Sequence, residues 1–325
     1  MNLRRNPQMM WASPRNHKSI LREGIPGRTI SQDDNRISGS RFPLLSLKPV
    51  YGGREKPMEK KVLVLDIDGT LTNSKKEITG NTRQAIWDAV MRGHQVMLAS
   101  GRPTPGMRRC EEELELARYG GYLLSFNGAR IVECRTGEVV YQRTLPNNLV
   151  PGLYRYAAER HMGLISYLGD TVISAFEPDE YVRLEARING LPIRVVENFP
   201  HFVDFDIQKC LLTAPGEQAA VYERELQEKY GSSASIYRSE PFFVEVMPLG
   251  VSKASSIEQM LPIIGVDRQH VICCGDGYND ISMIRYAGLG VAMANAQPAV
   301  KEAADYITAS NDDDGIVQVI REFMS

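Results

Sequence analysis

Short apolar runs alternate with helix-like segments along the chain from Met58 onward. The run VLVL, residues 62–65, is followed by a helical pattern over residues 80–92, by the run QVMLA and by a second helical pattern over residues 104–119. Neighbouring parallel strands need a long crossover between them, usually a helix, so this alternation is typical of a parallel sheet covered by helices. The order of strand, helix, strand, helix, strand therefore predicts an α/β fold.

The alternation is interrupted after the third apolar run, YLLS. The next residues indicate a hairpin with its turn at 135–137, and residues 146–246 then combine helical patterns with strands that short turns connect. Such a mixture predicts an α+β sheet with a core of its own. We therefore expect a core domain of residues 58–145 and 247–325, with a second domain of residues 146–246 inserted into it.

The first 57 residues differ in composition from the rest of the chain. They contain 11 Lys and Arg but four Asp and Glu, whereas the whole chain of 325 residues has a net charge of -2. The segment is rich in Arg, Ser, Pro and Gly and shows no sustained apolar period, which is typical of disorder. We expect a basic, disordered leader, residues 1–57, with the natural start near Met58. Contact with nucleic acid and an organelle transit function are alternatives for such a segment.

The cysteines and the apolar segments restrict where the protein acts. The cysteines are scattered, with no C-x-x-C pair and no histidine at zinc-ligand spacing, which favours a reducing cytoplasm. No uncharged apolar segment approaches the ~20 residues that a membrane-spanning helix needs. We therefore expect a cytoplasmic protein with no membrane partner, as a monomer or weak homo-oligomer. The cysteines are Cys110, Cys134, Cys210, Cys273 and Cys274.

The run VLVL leads directly into two carboxylates in the segment DIDGT, residues 66–70. Ligands of open α/β sheets bind beyond the carboxyl ends of the strands, which is where Asp66 falls. Asp66 and Asp68 repel each other when both are ionised, and a hard divalent cation with oxygen ligands relieves that repulsion. The segment therefore predicts a Mg²⁺ site. An ordinary D-G turn is the alternative for this segment taken alone.

Three further segments place polar groups at strand ends or at a helix start. SGR, residues 100–102, ends an apolar strand and offers a hydroxyl and backbone N–H groups to phosphate oxygens. Lys253 lies in the first turn of a helical pattern, where the ammonium and the helix N-terminus both attract an anion. Taken alone, SGR is equally typical of a small-residue turn before a helix, and a single helical lysine is usually only solvated. GDGYND follows the strand VICC and supplies the carboxylates of Asp276 and Asp280. Hydrolysis of a phosphate monoester needs a strong nucleophile or metal-activated water, together with neutralisation of the phosphate charge, and carboxylates at a strand end fit that need.

The order and content of the four segments resemble the haloacid dehalogenase (HAD) superfamily of phosphatases. DIDGT corresponds to the first motif of that superfamily, SGR to the second, Lys253 to the third and GDGYND to the fourth. FNGA, residues 126–129, and the place of the insertion resemble the Cof-type branch, subfamily IIB, whose α/β cap follows the third strand. The resemblance covers residues 59–325 and excludes the leader. It implies a doubly wound, Rossmann-like parallel sheet with an inserted α+β cap domain.

The resemblance also implies catalytic and metal-binding roles. Asp66 would be the nucleophile that forms an aspartyl-phosphate, and Asp68 would protonate the leaving oxygen and then activate water. The metal would be held by the Asp66 carboxylate, the backbone carbonyl of Asp68 and the Asp276 carboxylate. Asp280 would support the metal site.

Two further sets of residues follow from the same resemblance. The transferring phosphoryl group would be held by the backbone at Ile67 and Gly101 and by the side chains of Ser100, Lys253 and Asn279. Supporting roles fall to Thr70 in the first motif, Arg102 in the second and Asn127 at the cap junction.

The resemblance implies a magnesium-dependent phosphatase that acts on small phosphorylated metabolites. Sugar phosphates come first, followed by phosphorylated cofactors such as flavin mononucleotide (FMN) or pyridoxal phosphate (PLP). A phosphotransferase or phosphomutase of the same fold is one alternative, and a nucleic-acid-associated or scaffolding protein that uses the basic leader is an alternative of another class. Specificity would lie in the cap, where the candidates are His161, Tyr167, Asp170 and Tyr181.

Overall fold

A computed structural model describes residues 59–325, and the expected leader lies outside the described residues. The strands of the described part are β1 (Val62–Leu65), β2 (Gln95–Ala99), β3 (Tyr122–Ser125), β4 (Arg130–Glu133), β5 (Val139–Gln142), β6 (Gly163–Leu168), β7 (Thr171–Ser174), β8 (Ile193–Val195), β9 (Cys210–Thr213), β10 (Ala234–Glu240), β11 (Phe243–Pro248), β12 (Val271–Gly275), β13 (Leu289–Ala292) and β14 (Tyr306–Ile307). Its α-helices are α1 (Gly80–Met91), α2 (Arg108–Glu113), α3 (Leu116–Tyr119), α4 (Val150–Glu159), α5 (Glu180–Asn189), α6 (Phe199–Phe202), α7 (Gly216–Tyr230), α8 (Lys253–Ile264), α9 (Ile281–Tyr286), α10 (Pro298–Ala303) and α11 (Gly315–Phe323). Within residues 59–325, no helix has the length and apolar character needed to cross a membrane.

The larger sheet has eight strands in the order β14-β13-β12-β1-β2-β3-β4-β5. The strands from β14 to β3 are parallel, whereas β3, β4 and β5 pair antiparallel, so the expected hairpin extends the same sheet. β1 lies between β12 and β2, with Val62 opposite both Val271 and Gln95. The carboxyl ends of β12, β1 and β2 therefore meet at one edge, and the first, second and fourth motifs follow these strands.

Helices cover both faces of the larger sheet. Leu63 and Leu65 pack in a cluster with α1 and α11, while Val62 and Val64 pack in another cluster with α8 and α9. Alternate residues of a strand face opposite sides, so a strand that is buried on both faces reads as a continuous apolar run such as VLVL. The prediction of a doubly wound, Rossmann-like α/β sheet is confirmed.

The smaller sheet has six strands in the order β10-β11-β9-β6-β7-β8. We call this sheet, together with α4 to α7, the cap. One face of the cap sheet packs against α4 and α7, and the opposite face packs against α5 and against Phe126 and Ala129 of the larger domain. The inserted α+β cap is thus present, and one face of its sheet is turned toward the junction with the core.

Two elements of the cap, β8 and α6, are not predicted by the sequence patterns. β8 has three residues at the edge of the sheet, and two of them, Arg194 and Val195, are exposed. α6 has four residues and begins after Asn198, whose side chain accepts a hydrogen bond from the His201 N–H. Elements of this length contain too few residues to show an apolar period.

Candidate active site

Asp66 follows β1 at the carboxyl edge of the larger sheet. Its backbone N–H donates to the Cys274 carbonyl at 3.0 Å, which ties the residue to β12. Ile67 is completely buried, and its carbonyl oxygen accepts hydrogen bonds from both the N–H and the hydroxyl of Thr72. These bonds hold the first motif in a tight turn beside β12.

Gly69 brings this turn into contact with the fourth motif. Its φ is +87°, a conformation that glycine adopts without steric cost, and a Cβ atom at this position would lie 2.4 Å from Oδ2 of Asp276. The Thr70 hydroxyl donates to Oδ1 of Asp276 at 2.8 Å. The close approach therefore requires glycine at position 69, and Thr70 orients the Asp276 carboxylate.

Lys253 is the first residue of α8, directly after the N-cap Ser252. Its side chain is fully buried and its Nζ donates to Oδ1 of Asp66 at 2.6 Å, to Oδ1 of Asp280 at 2.6 Å and to the Ala99 carbonyl at 2.8 Å. The three protons of an ammonium are thereby all used. Burial by itself would lower the pKa of Lys253, but the charges of Asp280 and Asp66 raise it above its ordinary value. Lys253 therefore remains a cation inside the protein.

Asp280 holds the loop that follows β12. The residue is completely buried, and its Oδ2 accepts hydrogen bonds from the N–H groups of Asp276 at 3.0 Å and Gly277 at 2.9 Å. Its Oδ1 accepts from Lys253. Both oxygens are engaged, so Asp280 fixes the position of Asp276 relative to Lys253.

Asp66, Asp276 and Asp280 form a cluster that fits a divalent cation. One carboxylate oxygen from each lies within 4.8 Å of the others, and oxygen ligands are those that Mg²⁺ prefers. Lys253 supplies one positive charge against three carboxylates, so the fully ionised cluster carries excess negative charge. Burial, reinforced by the charge of Asp280, raises the pKa of Asp66 well above its ordinary value, and burial raises the pKa of Asp276 to about 6. A bound cation would favour the ionised form of both groups.

The side chain of Asp68 lies outside this cluster. Arg102 donates from Nε to Oδ2 and from Nη2 to Oδ1 of Asp68, both at 2.7 Å, and Lys76 donates to Oδ1 at 3.0 Å. Burial alone would raise the pKa of Asp68, but the hydrogen bonds and charges of Arg102 and Lys76 hold it below its ordinary value. Asp68 is therefore an ionised carboxylate in this arrangement.

Lys76 is a site residue that the sequence does not reveal. Two adjacent lysines, Lys75 and Lys76, follow the first motif, and no pattern distinguishes them. The difference arises from a turn in which the Lys76 N–H donates to the Asn73 carbonyl and Lys76 takes a φ of 62°. This turn directs Lys76 toward Asp68.

The second and fourth motifs meet at Asn127. The Ser100 hydroxyl accepts from the Arg102 N–H at 3.2 Å, and the Ser100 carbonyl accepts from the Asn127 N–H at 2.9 Å. The Asn127 side chain accepts from Nδ2 of Asn279 at 3.0 Å and donates to the hydroxyl of Tyr237 at 2.9 Å. Tyr237 belongs to β10, so a cap residue that the sequence analysis does not single out reaches this edge of the site.

The four cap residues that the sequence does single out are dispersed. Tyr167 is buried on the face of the cap sheet that is turned toward the core. Asp170 forms an ion pair of 2.6 Å with Arg108 of the core. Tyr181 stacks on a phenylalanine of the cap, and His161 is exposed after α4. Of the four, Tyr167 is therefore the residue that is buried at the junction between the cap and the core.

Known proteins are similar to this chain in sequence and in fold. Residues 63–320 match the family of haloacid dehalogenase-like hydrolases. The crystal structure of a haloacid dehalogenase-like hydrolase from Bacteroides thetaiotaomicron is similar at 42% identity with a TM-score of 0.77, over 81% of this chain and 99% of the other. A HAD subclass IIB sugar phosphatase is similar at 28% identity with a TM-score of 0.71, over 81% of this chain and 99% of the other. Bacillus subtilis YcsE, named 5-amino-6-(5-phospho-D-ribitylamino)uracil phosphatase, is 29% identical over 264 residues, which are 81% of this chain and 96% of YcsE.

These similarities agree with the site that the residues form. The matched family spans all four motifs and the cap. The similar proteins include phosphatases, so the enzyme class predicted from the motifs, a HAD-type phosphatase, is confirmed. The chain belongs to the haloacid dehalogenase-like hydrolase family.

Proposed function

We propose that the protein is a magnesium-dependent phosphatase that hydrolyses small phosphorylated metabolites through an aspartyl-phosphate on Asp66. The observation that carries this proposal is the setting of Asp66 itself. Its buried carboxylate lies at the end of β1, accepts a hydrogen bond of 2.6 Å from Lys253 and lies beside the carboxylates of Asp276 and Asp280. A fixed nucleophile among cation-binding groups suits attack on phosphorus, because the phosphate charge must be neutralised for an anion to approach.

In the first step, a carboxylate oxygen of Asp66 attacks the phosphorus atom, and the bond between phosphorus and the leaving oxygen breaks. Asp68, in its protonated form, gives its proton to the leaving oxygen, so that an alcohol departs. The phosphoryl group remains on Asp66 as an acyl phosphate.

In the second step, the Asp68 carboxylate accepts a proton from water, and the water oxygen attacks the phosphorus atom. The bond between phosphorus and the Asp66 oxygen breaks, which releases inorganic phosphate and restores the Asp66 carboxylate. Asp68 is then protonated again and is ready for the next substrate.

Arg102 favours one of these two states of Asp68. The paired carboxylate is suited to accepting the water proton, whereas donation to the leaving oxygen requires Asp68 to turn away from Arg102 and become protonated. We infer that binding of the substrate, whose phosphate competes for Arg102 and Lys76, promotes this change.

The remaining motif residues hold the phosphoryl group and the metal. Mg²⁺ would be held by the carboxylates of Asp66 and Asp276 and by the carbonyl of Asp68, and when bound it neutralises charge on the phosphoryl oxygens. Thr70 and Asp280 keep Asp276 in place. The groups proposed to contact the phosphoryl oxygens are the backbone at Ile67 and Gly101 and the side chains of Ser100, Lys253 and Asn279. Lys253 would do so by exchanging one of its three present acceptors for a phosphoryl oxygen.

We propose sugar phosphates as the first substrates to examine, followed by cofactor phosphates such as FMN and PLP. The similar proteins named above include a sugar phosphatase and a phosphatase of a ribityl compound, which supports a polyhydroxylated substrate.

The cap, for which we propose the bounds 146–246, would close over the site and select the leaving group. Its counterpart would be a core of residues 58–145 and 247–325. A cytoplasmic location and a monomeric or weakly associated state complete the proposal.

The test is phosphate release by the full chain from a panel of sugar phosphates, nucleotides and cofactor phosphates, with Mg²⁺ and with a chelator. Asp66→Asn removes the nucleophile, and Asp88→Asn makes the same chemical change at an exposed position of α1. We expect magnesium-dependent release that Asp66→Asn abolishes and Asp88→Asn retains. If the Asp66→Asn variant still releases phosphate, an aspartyl-phosphate on Asp66 is excluded.

Transfer to an acceptor is distinguished in the same experiment. If phosphate is released only when a sugar acceptor is absent, and the acceptor becomes phosphorylated when it is present, the protein is a phosphotransferase or phosphomutase. Binding of nucleic acid by the basic leader would be visible as salt-sensitive retention of the intact chain on nucleic acid.

A further inference from the structure

The cap contains a buried ion pair that contacts the second motif. Lys209 precedes β9 and Glu245 lies in β11, and both side chains are almost completely buried, with exposed fractions of 3% and 5%. Lys209 Nζ donates to Oε1 of Glu245 at 3.2 Å and to the Gly101 carbonyl at 3.4 Å. The pair therefore links the cap to a residue of the proposed phosphoryl site.

Tyr237 extends this pair toward the other side of the site. It lies directly opposite Glu245 in the pairing of β10 with β11, and its hydroxyl lies 3.5 Å from Oε2 of Glu245. The same hydroxyl accepts the hydrogen bond from Asn127, which is bonded to Asn279. Lys209, Tyr237 and Glu245, which we call the cap triad, thus reach the proposed phosphoryl site directly at Gly101 and, through Asn127, at Asn279.

The contacts within the cap triad are long for charged groups. Hydrogen bonds between an ammonium and a carboxylate are typically about 2.7–2.9 Å. Lys253 and Asp66 meet at 2.6 Å, and Arg102 and Asp68 meet at 2.7 Å, whereas Lys209 and Glu245 meet at 3.2 Å. The Tyr237 hydroxyl is farther still from Glu245, at 3.5 Å. A buried ion pair of this kind adds little to stability, because removing both charges from water costs about as much as their attraction returns. The weak pairing leaves hydrogen-bonding capacity for a ligand.

The chemistry of the cap triad matches hydroxyl groups rather than a further anion. The ammonium donates, the carboxylate accepts and the phenol does both, and a hydroxyl group needs one donor and one acceptor beside it. The charges of Lys209 and Glu245 cancel, so a second phosphate has no net attraction to the triad. The leaving group must extend from the phosphoryl site toward the cap, where the triad lies.

On the basis of the proposed function, we propose that Lys209, Tyr237 and Glu245 form the leaving-group subsite and select neutral, polyhydroxylated leaving groups. These are sugars in ring form or open-chain sugar alcohols. The long contacts open on binding, and the substrate hydroxyls take their place between the ammonium and the carboxylate.

The experiment compares substrates that differ in the hydroxyls of the leaving group. Values of kcat/KM are measured for glucose phosphate, for ribitol phosphate and for para-nitrophenyl phosphate, which lacks such hydroxyls. Tyr237→Phe removes one hydroxyl, and the double variant Lys209→Met/Glu245→Gln removes both charges together, so that no single charge is left buried and unpaired. Lys229→Met/Glu228→Gln makes the same change at exposed positions of the cap and serves as the control.

We expect the double variant to lower kcat/KM for one or both polyol phosphates by about 10- to 100-fold, the effect of losing hydrogen bonds to charged groups. Hydrolysis of para-nitrophenyl phosphate should fall by a clearly smaller factor, because that substrate loses only the support of Lys209 at the Gly101 carbonyl, and the control should match the wild type with every substrate. The polyol phosphate whose kcat/KM falls more in the double variant shows whether the ring form or the open-chain form is the preferred leaving group.

An equal loss with all three substrates would overturn the inference, because the triad would then act on cap closure or folding. Unchanged selectivity in both variants would overturn it as well. If the wild type hydrolyses para-nitrophenyl phosphate but neither polyol phosphate, the inference fails while the proposed phosphatase stands. If the wild type with Mg²⁺ releases phosphate from none of the three and from none of the nucleotides and cofactor phosphates of the panel described above, the proposed function itself fails.

Discussion

Arg102 donates two hydrogen bonds of 2.7 Å to the carboxylate of Asp68. This pairing joins the second motif to the first and sets the ionisation of the residue proposed as acid and base. Arg102 also donates from Nη1 to the Gly106 carbonyl at 3.1 Å, so all three nitrogens of its guanidinium group are hydrogen-bonded. The orientation of Asp68 therefore depends on Arg102.

Arg102→Gln should move the acid side of the pH profile to higher pH. Arg102 helps to hold the pKa of Asp68 below its ordinary value, and its removal lets burial raise that pKa. Because the Asp68 carboxylate is proposed to accept the water proton in the second step, kcat should then begin to fall at a higher pH than in the wild type. The measurement is kcat for para-nitrophenyl phosphate against pH, since its leaving group departs without a proton and water attack then limits turnover, with the exposed Arg109→Gln as the control. Superimposable profiles of the two variants would contradict this role of Arg102.

Lys253→Met should destabilise the protein when Mg²⁺ is absent. The change leaves Asp66 and Asp280 buried without their shared cation, and breaking a buried ion pair costs about 3–5 kcal/mol. The free energy of unfolding in urea, measured with a chelator present, reports this loss, and the exposed Lys75→Met is the control. If both variants unfold at the urea concentration of the wild type, the ammonium is not required for burial of the two carboxylates.

Mg²⁺ should stabilise the wild type and not Asp276→Asn. A ligand that binds only the folded state at 100 times its dissociation constant adds about 2.7 kcal/mol of stability. Thermal unfolding with increasing Mg²⁺ measures this effect without any substrate. Asp204→Asn, at an exposed position of the cap, should respond as the wild type does. An equal response in Asp276→Asn would exclude that carboxylate as a ligand.

Gly69→Ala should abolish activity, whereas Gly93→Ala should not. Both glycines have a left-handed backbone, with φ of +87° and +95°, so both substitutions carry the cost of about 1–2 kcal/mol for an L residue in that region. A Cβ at Gly69 would also meet the Asp276 carboxylate at 2.4 Å, while a Cβ at Gly93 would have no atom within 4 Å. Urea unfolding and phosphate release of the two variants separate the shared backbone cost from displacement of Asp276. Full activity in Gly69→Ala would show that the loop after β12 can move without loss of function.

Stability should fall as pH decreases, in part because of His94. Burial lowers the pKa of His94 below its ordinary value of 6.5, and its ring lies between the Lys61 N–H and the Met324 carbonyl. At pH values between 6.5 and the lowered pKa, the unfolded state binds more protons at His94 than the folded state does. The contribution of His94 to the free energy of unfolding is therefore fully present above pH 6.5 and is lost as the pH falls through this window.

His94→Gln tests this contribution. The urea midpoint from about pH 8 to about pH 5 should fall less steeply for His94→Gln than for the wild type. His201→Gln removes an exposed histidine of the cap and is the control. Identical slopes for His94→Gln and the wild type would show that His94 does not titrate on unfolding.

The sequence predicts the parts of this site that regular strands deliver. VLVL is buried on both faces, so its carboxyl end could be located, and with it the position of Asp66 beside Asp276. The contribution of Lys76 depends on the turn at Asn73, and turns of this kind have no periodic signal. Tyr237 depends on the register of β10 against β11, which alternation alone does not specify across two strands. Lys76 of the core and Tyr237 of the cap therefore required the structure.

The order of the strands in the larger sheet has a consequence for biosynthesis. β1, which carries Asp66, pairs on one side with β12, and more than two hundred residues separate Val62 from its partner Val271. Lys253 and Asp276 lie in the last quarter of the chain, and β9 to β11 of the cap are also synthesised before them. During translation Asp66 thus leaves the ribosome long before the groups that hold it, and such long-range pairing is slow to form. A nascent chain therefore carries no functional site until its C-terminal segment is released and joins β1.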